Sequence, residues 1–154
     1  MSSEILAKLR TRSWTERLLL FEASGFLALS RMAIWIVPFR RIASVLGRPM
    51  SESPGGVESR REFHARQVGW AVRAVARRTP WKNNCLVQAL AAKIMLRRRG
   101  IASTVYLGVA KESGKELNAH AWLRSGDVIL TGKRKSGEFT VLSTFSERRP
   151  GSLD

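Results

Sequence analysis

The chain has 154 residues, 44% of them hydrophobic and 25% charged, with 27 Lys+Arg against 12 Asp+Glu for a formal net charge of +15. That is the make-up of one globular domain with its own core, not of a disordered basic tail. One cysteine and two histidines exclude an internal disulfide framework and leave too few ligands for an ordinary four-ligand zinc site, so neither a metal nor a cofactor is expected.

From Met1 to Arg17 the chain is polar and mixed in charge, so no secretory signal is expected and the expected location is the cytoplasm. Leu18 to Val37 is apolar and long enough to span a bilayer, but Glu22 and Arg31 interrupt it. Each charge would cost about 2.5–3.5 kcal/mol near a helix centre, which argues against a transmembrane anchor. The segment reads as a buried or interfacial helix, or two short ones, ending near Pro38, and it leaves peripheral membrane contact open. Arg48 to Gly56 has the Pro, Gly and Ser content of a linker.

Glu58 to Arg78 is expected to be helical. Val68, Ala71, Val72, Val75 and Ala76 recur on one face, with Arg66, Arg73 and Arg77 on the other, and Thr79-Pro80 stops it. Trp70 shares the arginine face, where it would either stack against an anionic chain or cover the junction with the N-terminal helices. His64 reads as a surface residue. Asn84 to Arg99 forms a second helix, capped by Asn83 or Asn84 and followed by Gly100. Period-two strands follow at Thr104 to Val109, Ala119 to Arg124, Val128 to Thr131 and Thr140 to Thr144. Helices first and three or four antiparallel strands after them make an α+β fold, with the Cys85 helix packed on a small sheet.

The charge is uneven along this order. Residues 61–100 hold ten basic residues against Glu62 alone. Such a patch draws anionic partners, whether an acidic peptide, lipid headgroups or nucleic acid. No helix-turn-helix, aromatic RNA-binding strand or glycine-rich phosphate loop accompanies it, so no specific nucleic-acid partner is expected.

Cys85 falls in the first turn of its helix, where unpaired N–H groups and the dipole stabilise an anion, and Lys82 adds positive charge nearby. A buried structural cysteine is the competing reading. His120 lies on a strand, on the same face as Trp122. A helix-start thiol followed by a strand histidine is an arrangement used for thiolate–imidazolium catalysis. Asn83, Asn84 and the Cys85 N–H stand where oxyanion donors would be needed, although capping explains the asparagines equally well.

Four stretches resemble one family: WKNNCLVQALAAKIMLRRRG, STVYLGVAKE, ELNAHAWLRSGDVILTG and EFTVLSTF. Together they are similar to the B proteins of lasso-peptide biosynthesis, which are transglutaminase-like cysteine peptidases. The match is closest from Trp81 to Phe145, and the helical lead-in is similar more loosely. The resemblance implies a papain-like core, with residues 1–48 as N-terminal helices, 49–57 as a linker and 58–154 as the peptidase domain. It implies Cys85 as nucleophile and His120 as general base, with leader removal from a precursor peptide as the reaction. A separate ATP-dependent cyclase would then close the ring.

Two departures from the family pattern follow. The chain lacks room for the leader-recognition domain that many members carry, so a separate recognition protein is expected. The family's third catalytic residue, an Asp about a dozen residues after the His, falls at Thr131-Gly132. Asp127 is the substitute by residue type, but a turn at Ser125-Gly126-Asp127 would hold it about 15–20 Å from His120. Thr131, Asn118 or a backbone carbonyl remain open as holders of the imidazole. Trp81, Trp70, Arg66, Arg73 and Arg77 are weaker candidates for substrate or partner contact. The competing functional reading is a non-enzymatic basic binding or scaffold protein for an anionic partner.

Overall fold

The computed structural model describes residues 7, 10–79, 84–111, 114, 116–133 and 139–147. Pro80, Trp81, Lys82, Asn83 and Asp154 lie outside them, so the expectations for those residues stand as made.

One helix, α1 (Trp14–Ile36), takes up the whole apolar N-terminal segment. Ser13 starts it by accepting the N–H of Glu16, and Pro38 follows its end. Its inner face buries Leu19, Leu20, Ala23, Leu27 and Ser30. By length and composition it is apolar enough to cross a membrane, yet only 17% of its most apolar window is buried. Helix α2 (Phe39–Leu46) turns back and inserts Ile42 and Leu46. Helices α3 (Ser59–Ala76) and α4 (Cys85–Arg98) complete the helical layer. The expected inner face of α3 holds, with Val68, Ala71 and Val72 buried.

The described strands are β1 (Arg48–Pro49), β2 (Thr104–Lys111), β3 (Leu117–Ser125), β4 (Val128–Thr131) and β5 (Thr140–Ser146). They form an antiparallel sheet in the order β1-β5-β2-β3-β4. The architecture is α+β, as the sequence implies. Helix α4 lies on the inner face, where Val105, Ala121, Leu123, Leu130 and Phe145 join its core. Ala89, Ala91 and Ala92 are wholly buried on α4, and their small side chains let the helix axis approach the sheet closely.

Residues 48–56, whose composition suggests a linker, are bonded to the rest of the fold along their length. Arg48 and Pro49 pair with β5, Ser51 bonds Ser146, and Ser53 bonds Thr104 at 2.8 Å through both its N–H and its hydroxyl. Next to these contacts Lys93 is buried in α4. Its ammonium donates to the Ser103 carbonyl at 2.6 Å and stands 2.7 Å from Glu147 Oε1. That pair ties α4 to the chain leaving β5.

Candidate active site

Asn84 is the N-cap of α4, and its Oδ1 accepts the N–H of Val87 at 2.9 Å. The cap fixes the first helical turn and with it Cys85. The helix N-terminus concentrates unpaired N–H dipoles around this residue. Capping is thus what the Asn84 carbonyl oxygen does, and its exposed amide nitrogen keeps its donors.

The Cys85 sulfur is half-buried and reaches β3, where Sγ accepts the N–H of Ala121 at 3.3 Å. Ala121 directly follows His120, so the fold carries thiol and imidazole to adjacent residues of one strand. The Cys85–Ala121 contact lies where β4 has already ended and the edge of β3 is open. The helix start and the Ala121 N–H both face the sulfur, which is the setting a thiolate nucleophile needs. Among the described residues no hydrogen bond joins Sγ to the imidazole; in substrate-free thiol sites that bond commonly tightens only when substrate arrives.

Alternation sends Ala121 and Leu123 inward, and His120 and Trp122 to the other face. There Trp122 stacks on Tyr106 with ring centroids 5.4 Å apart, and His120 packs between Trp122 at 5.9 Å and Phe139 at 4.9 Å. Gly108, the cross-strand partner of His120, leaves room for this row. A Cβ there would come within 3.0 Å of the Trp122 ring, the Phe139 side chain and the Thr140 carbonyl. The row continues to Tyr106, whose hydroxyl donates to Glu52 and accepts from Arg124, each at 2.8 Å. Burial pushes this phenol up from its ordinary value.

The imidazole is held by a carbonyl. His120 Nε2 lies 2.9 Å from the Gly132 oxygen, and a carbonyl only accepts, so Nε2 carries the proton. In the neutral ring this leaves the basic lone pair on Nδ1. The side-chain candidates for that role lie elsewhere. Asp127 sits in the β3–β4 turn, where its Oδ2 accepts the N–H of Gly56 at 3.2 Å. It therefore anchors residues 48–56 and does not orient the imidazole. Asn118 is exposed opposite Ala110, and Thr131 is buried opposite Leu123.

The β3–β4 loop is one residue shorter than the expected Ser125-Gly126-Asp127 turn. Ser125 pairs with Val128 around a Gly126-Asp127 loop, and a bulge between Leu123 and Arg124 adds one residue on the β4 side. The displacement lets Gly132 turn beside His120 instead of continuing the ladder.

The proposed contact residues disperse. Arg66 pairs with Glu62 at 2.8 Å, and Arg73 donates to the Leu130 carbonyl beneath the sheet edge. Burial, with the Arg77 charge beside it, lowers the Arg73 guanidinium from its usual value. Arg77 is exposed. Trp70 covers the junction between α1 and α3, with the Arg12 guanidinium 4.6 Å above its ring. A different groove, a cavity of about 610 Å³, lies between α1 and the start of α4, lined by Met32, Ile34, Trp35, Asn84 and Val87 among others. The described residues hold no cluster of three or more His, Cys, Asp or Glu side chains able to bind a metal ion.

Sequence reasoning did not single out Phe139, Tyr106 or Gly108. A glycine opposite a strand histidine was the one available sign that bulk had to be excluded there.

Comparison with curated proteins and with solved structures gives no match. A family model does match, described as the transglutaminase-like superfamily and covering residues 32–144, from the second half of α1 to β5. That span holds the Cys85 helix, the His120 strand and the Gly132 turn together, and the chain belongs to the transglutaminase-like superfamily.

Proposed function

We propose that this chain is a cysteine peptidase that removes the leader from a ribosomally made precursor peptide during lasso-peptide maturation. The superfamily includes cysteine peptidases, and the resemblance to the lasso B proteins supplies the substrate class. The observation that carries the reading is the Gly132 carbonyl on His120 Nε2, which leaves Nδ1 as the base on the residue adjoining the Cys85–Ala121 contact.

In the proposed reaction Nδ1 takes the thiol proton, and Sγ adds to the carbonyl carbon of the bond joining leader to core. The N–H groups at the start of α4 and the amide of Asn84 face the resulting oxyanion. The C–N bond breaks as the imidazolium returns its proton to the departing amine, releasing the core peptide. Water, deprotonated by the same nitrogen, then cleaves the thioester, which frees the leader and restores the thiol. A recognition protein presents the leader, a cyclase consumes the core, and the reaction runs in the cytoplasm.

The test is to incubate the protein with a candidate precursor and recognition protein and follow the products by mass spectrometry. A leader-sized loss that iodoacetamide blocks, and that Cys85→Ala abolishes, is expected. His120→Ala is expected to slow it by about 10²–10⁴-fold, the usual contribution of a general base. Undiminished cleavage by Cys85→Ala would overturn the assignment.

A further inference from the structure

Helix α1 is apolar on both sides. Opposite its core face, Trp14, Leu18, Phe21, Leu29, Met32 and Ile36 are all exposed, Phe21 to 81%. At 3.6 residues per turn these six fall within an arc of roughly 80° that runs the whole helix, about 34 Å. No charged residue lies in that arc. A continuous apolar stripe of this length marks an interaction surface rather than the scattered exposure normal for a soluble protein.

The surroundings select the occupant. Residues 10–48 hold seven arginines against Glu16 and Glu22, and Glu22 is held by Arg98 and Arg99. Arg10 precedes the stripe, and Arg40 and Arg41 follow it, all three at its ends. Trp14 and Trp35 stand one at each end, where an indole places its apolar ring and its N–H at a lipid–water boundary. A second copy of a chain carrying +15 would bring like charge against like charge along this rim. Spanning the bilayer would pull Leu19, Leu20, Ala23 and Leu27 out of the core and break both Glu22 pairs.

We propose that α1 lies flat on an anionic lipid surface, with the stripe at the boundary between headgroups and acyl chains and the arginines among the phosphates. Met32 and Trp35 also line the groove beside Asn84, so docking sets the Cys85 helix start at the bilayer surface. This inference is independent of the reaction proposed above.

The test is sedimentation of the full chain with vesicles of phosphatidylglycerol and phosphatidylcholine, against vesicles of phosphatidylcholine alone. Binding to the first, loss on the second and a blue shift of tryptophan fluorescence are expected. Phe21→Ser and Trp35→Ser are each expected to weaken binding about tenfold, and both alter exposed side chains that the fold does not need. The paired change Arg40→Glu and Arg41→Glu is expected to weaken it as well. The proposal falls if the protein stays in the supernatant with both lipids. It falls equally if Phe21→Ser and Trp35→Ser leave binding unchanged, which marks adsorption by charge alone. A lipid-free oligomer that those two changes convert to monomer would also overturn it, because a second copy then covers the stripe.

Discussion

The carbonyl oxygen of Gly132 accepts a hydrogen bond from Nε2 of His120 at 2.9 Å. Glycine is what allows the approach. Its φ is +75°, and a Cβ would stand 2.6 Å from the Ala121 carbonyl and 2.8 Å from Trp122 Cβ. Gly132→Ala is therefore expected to cost about 1–3 kcal/mol of stability by backbone strain alone. It is also expected to slow leader cleavage at temperatures where the variant remains folded, because the ring loses its fixed tautomer. Thermal unfolding and single-turnover cleavage measured on one preparation separate the two effects. Wild-type turnover in folded Gly132→Ala would remove the carbonyl from the mechanism.

The parts of the site written in local rules were legible in the sequence. Asn84 before an apolar run, three arginines and a glycine after it, and alternation around His120 gave the α4 helix and the β3 strand. The holder of the imidazole was not legible as a residue type, because a backbone carbonyl carries no side-chain signature. Its position also depends on a bulge at Leu123 and Arg124 that turn chemistry does not announce. Residues 48–56 looked like a linker for a related reason. Serines and glycines favour loops, but Ser51 and Ser53 spend their hydroxyls on Ser146 and Thr104 across the sheet. Periodicity marked α1 as apolar without saying which of its two apolar faces goes inward. Only packing against α3 and α4 decides that.

Asp127 and Thr131 matched the expected chemistry by residue type, and their surroundings give them other roles. Asp127→Asn is expected to leave cleavage within about twofold of wild type and to cost about 1 kcal/mol or less, by weakening the contact with the Gly56 N–H. Thr131 Oγ1 is buried and has no hydrogen-bond partner among the described residues. Thr131→Val replaces that hydroxyl with a methyl of similar size, and a gain of about 1 kcal/mol with retained activity is expected. Cleavage assays and denaturant unfolding of both variants check this. A hundredfold loss of rate in Asp127→Asn would return the aspartate to the catalytic set.

Lys93 and Glu147 are unequal partners in one buried ion pair. The lysine side chain is 1% exposed and the glutamate 26%. Burial lowers the Lys93 ammonium from its ordinary value, and the charge of Glu147 pulls it back. Glu147→Gln leaves an ammonium in the core without a counter-charge, and a cost approaching about 3–5 kcal/mol is expected. Lys93→Met leaves a carboxylate that water reaches, so a smaller loss is expected. Urea unfolding of the two variants gives the order directly, and the reverse order would show that the lysine is not the buried member that matters.

Glu22 makes the attachment of α1 to the end of α4 sensitive to acid. Hydrogen bonding from Arg99 holds its carboxyl below the ordinary value of 4.5, with the Arg99 and Arg98 charges adding to this and burial opposing it. In the window between the folded and unfolded values the unfolded chain binds more protons, so stability rises with pH there. The contribution is complete above the unfolded value and disappears as pH falls through the folded one. Glu22→Gln is expected to lower the unfolding midpoint at neutral pH while flattening its decline in acid, so that the two proteins converge as pH falls through the folded value. Thermal unfolding across that range tests the sign. If the two curves ran parallel to the lowest pH, the carboxylate would not carry this part of the acid sensitivity.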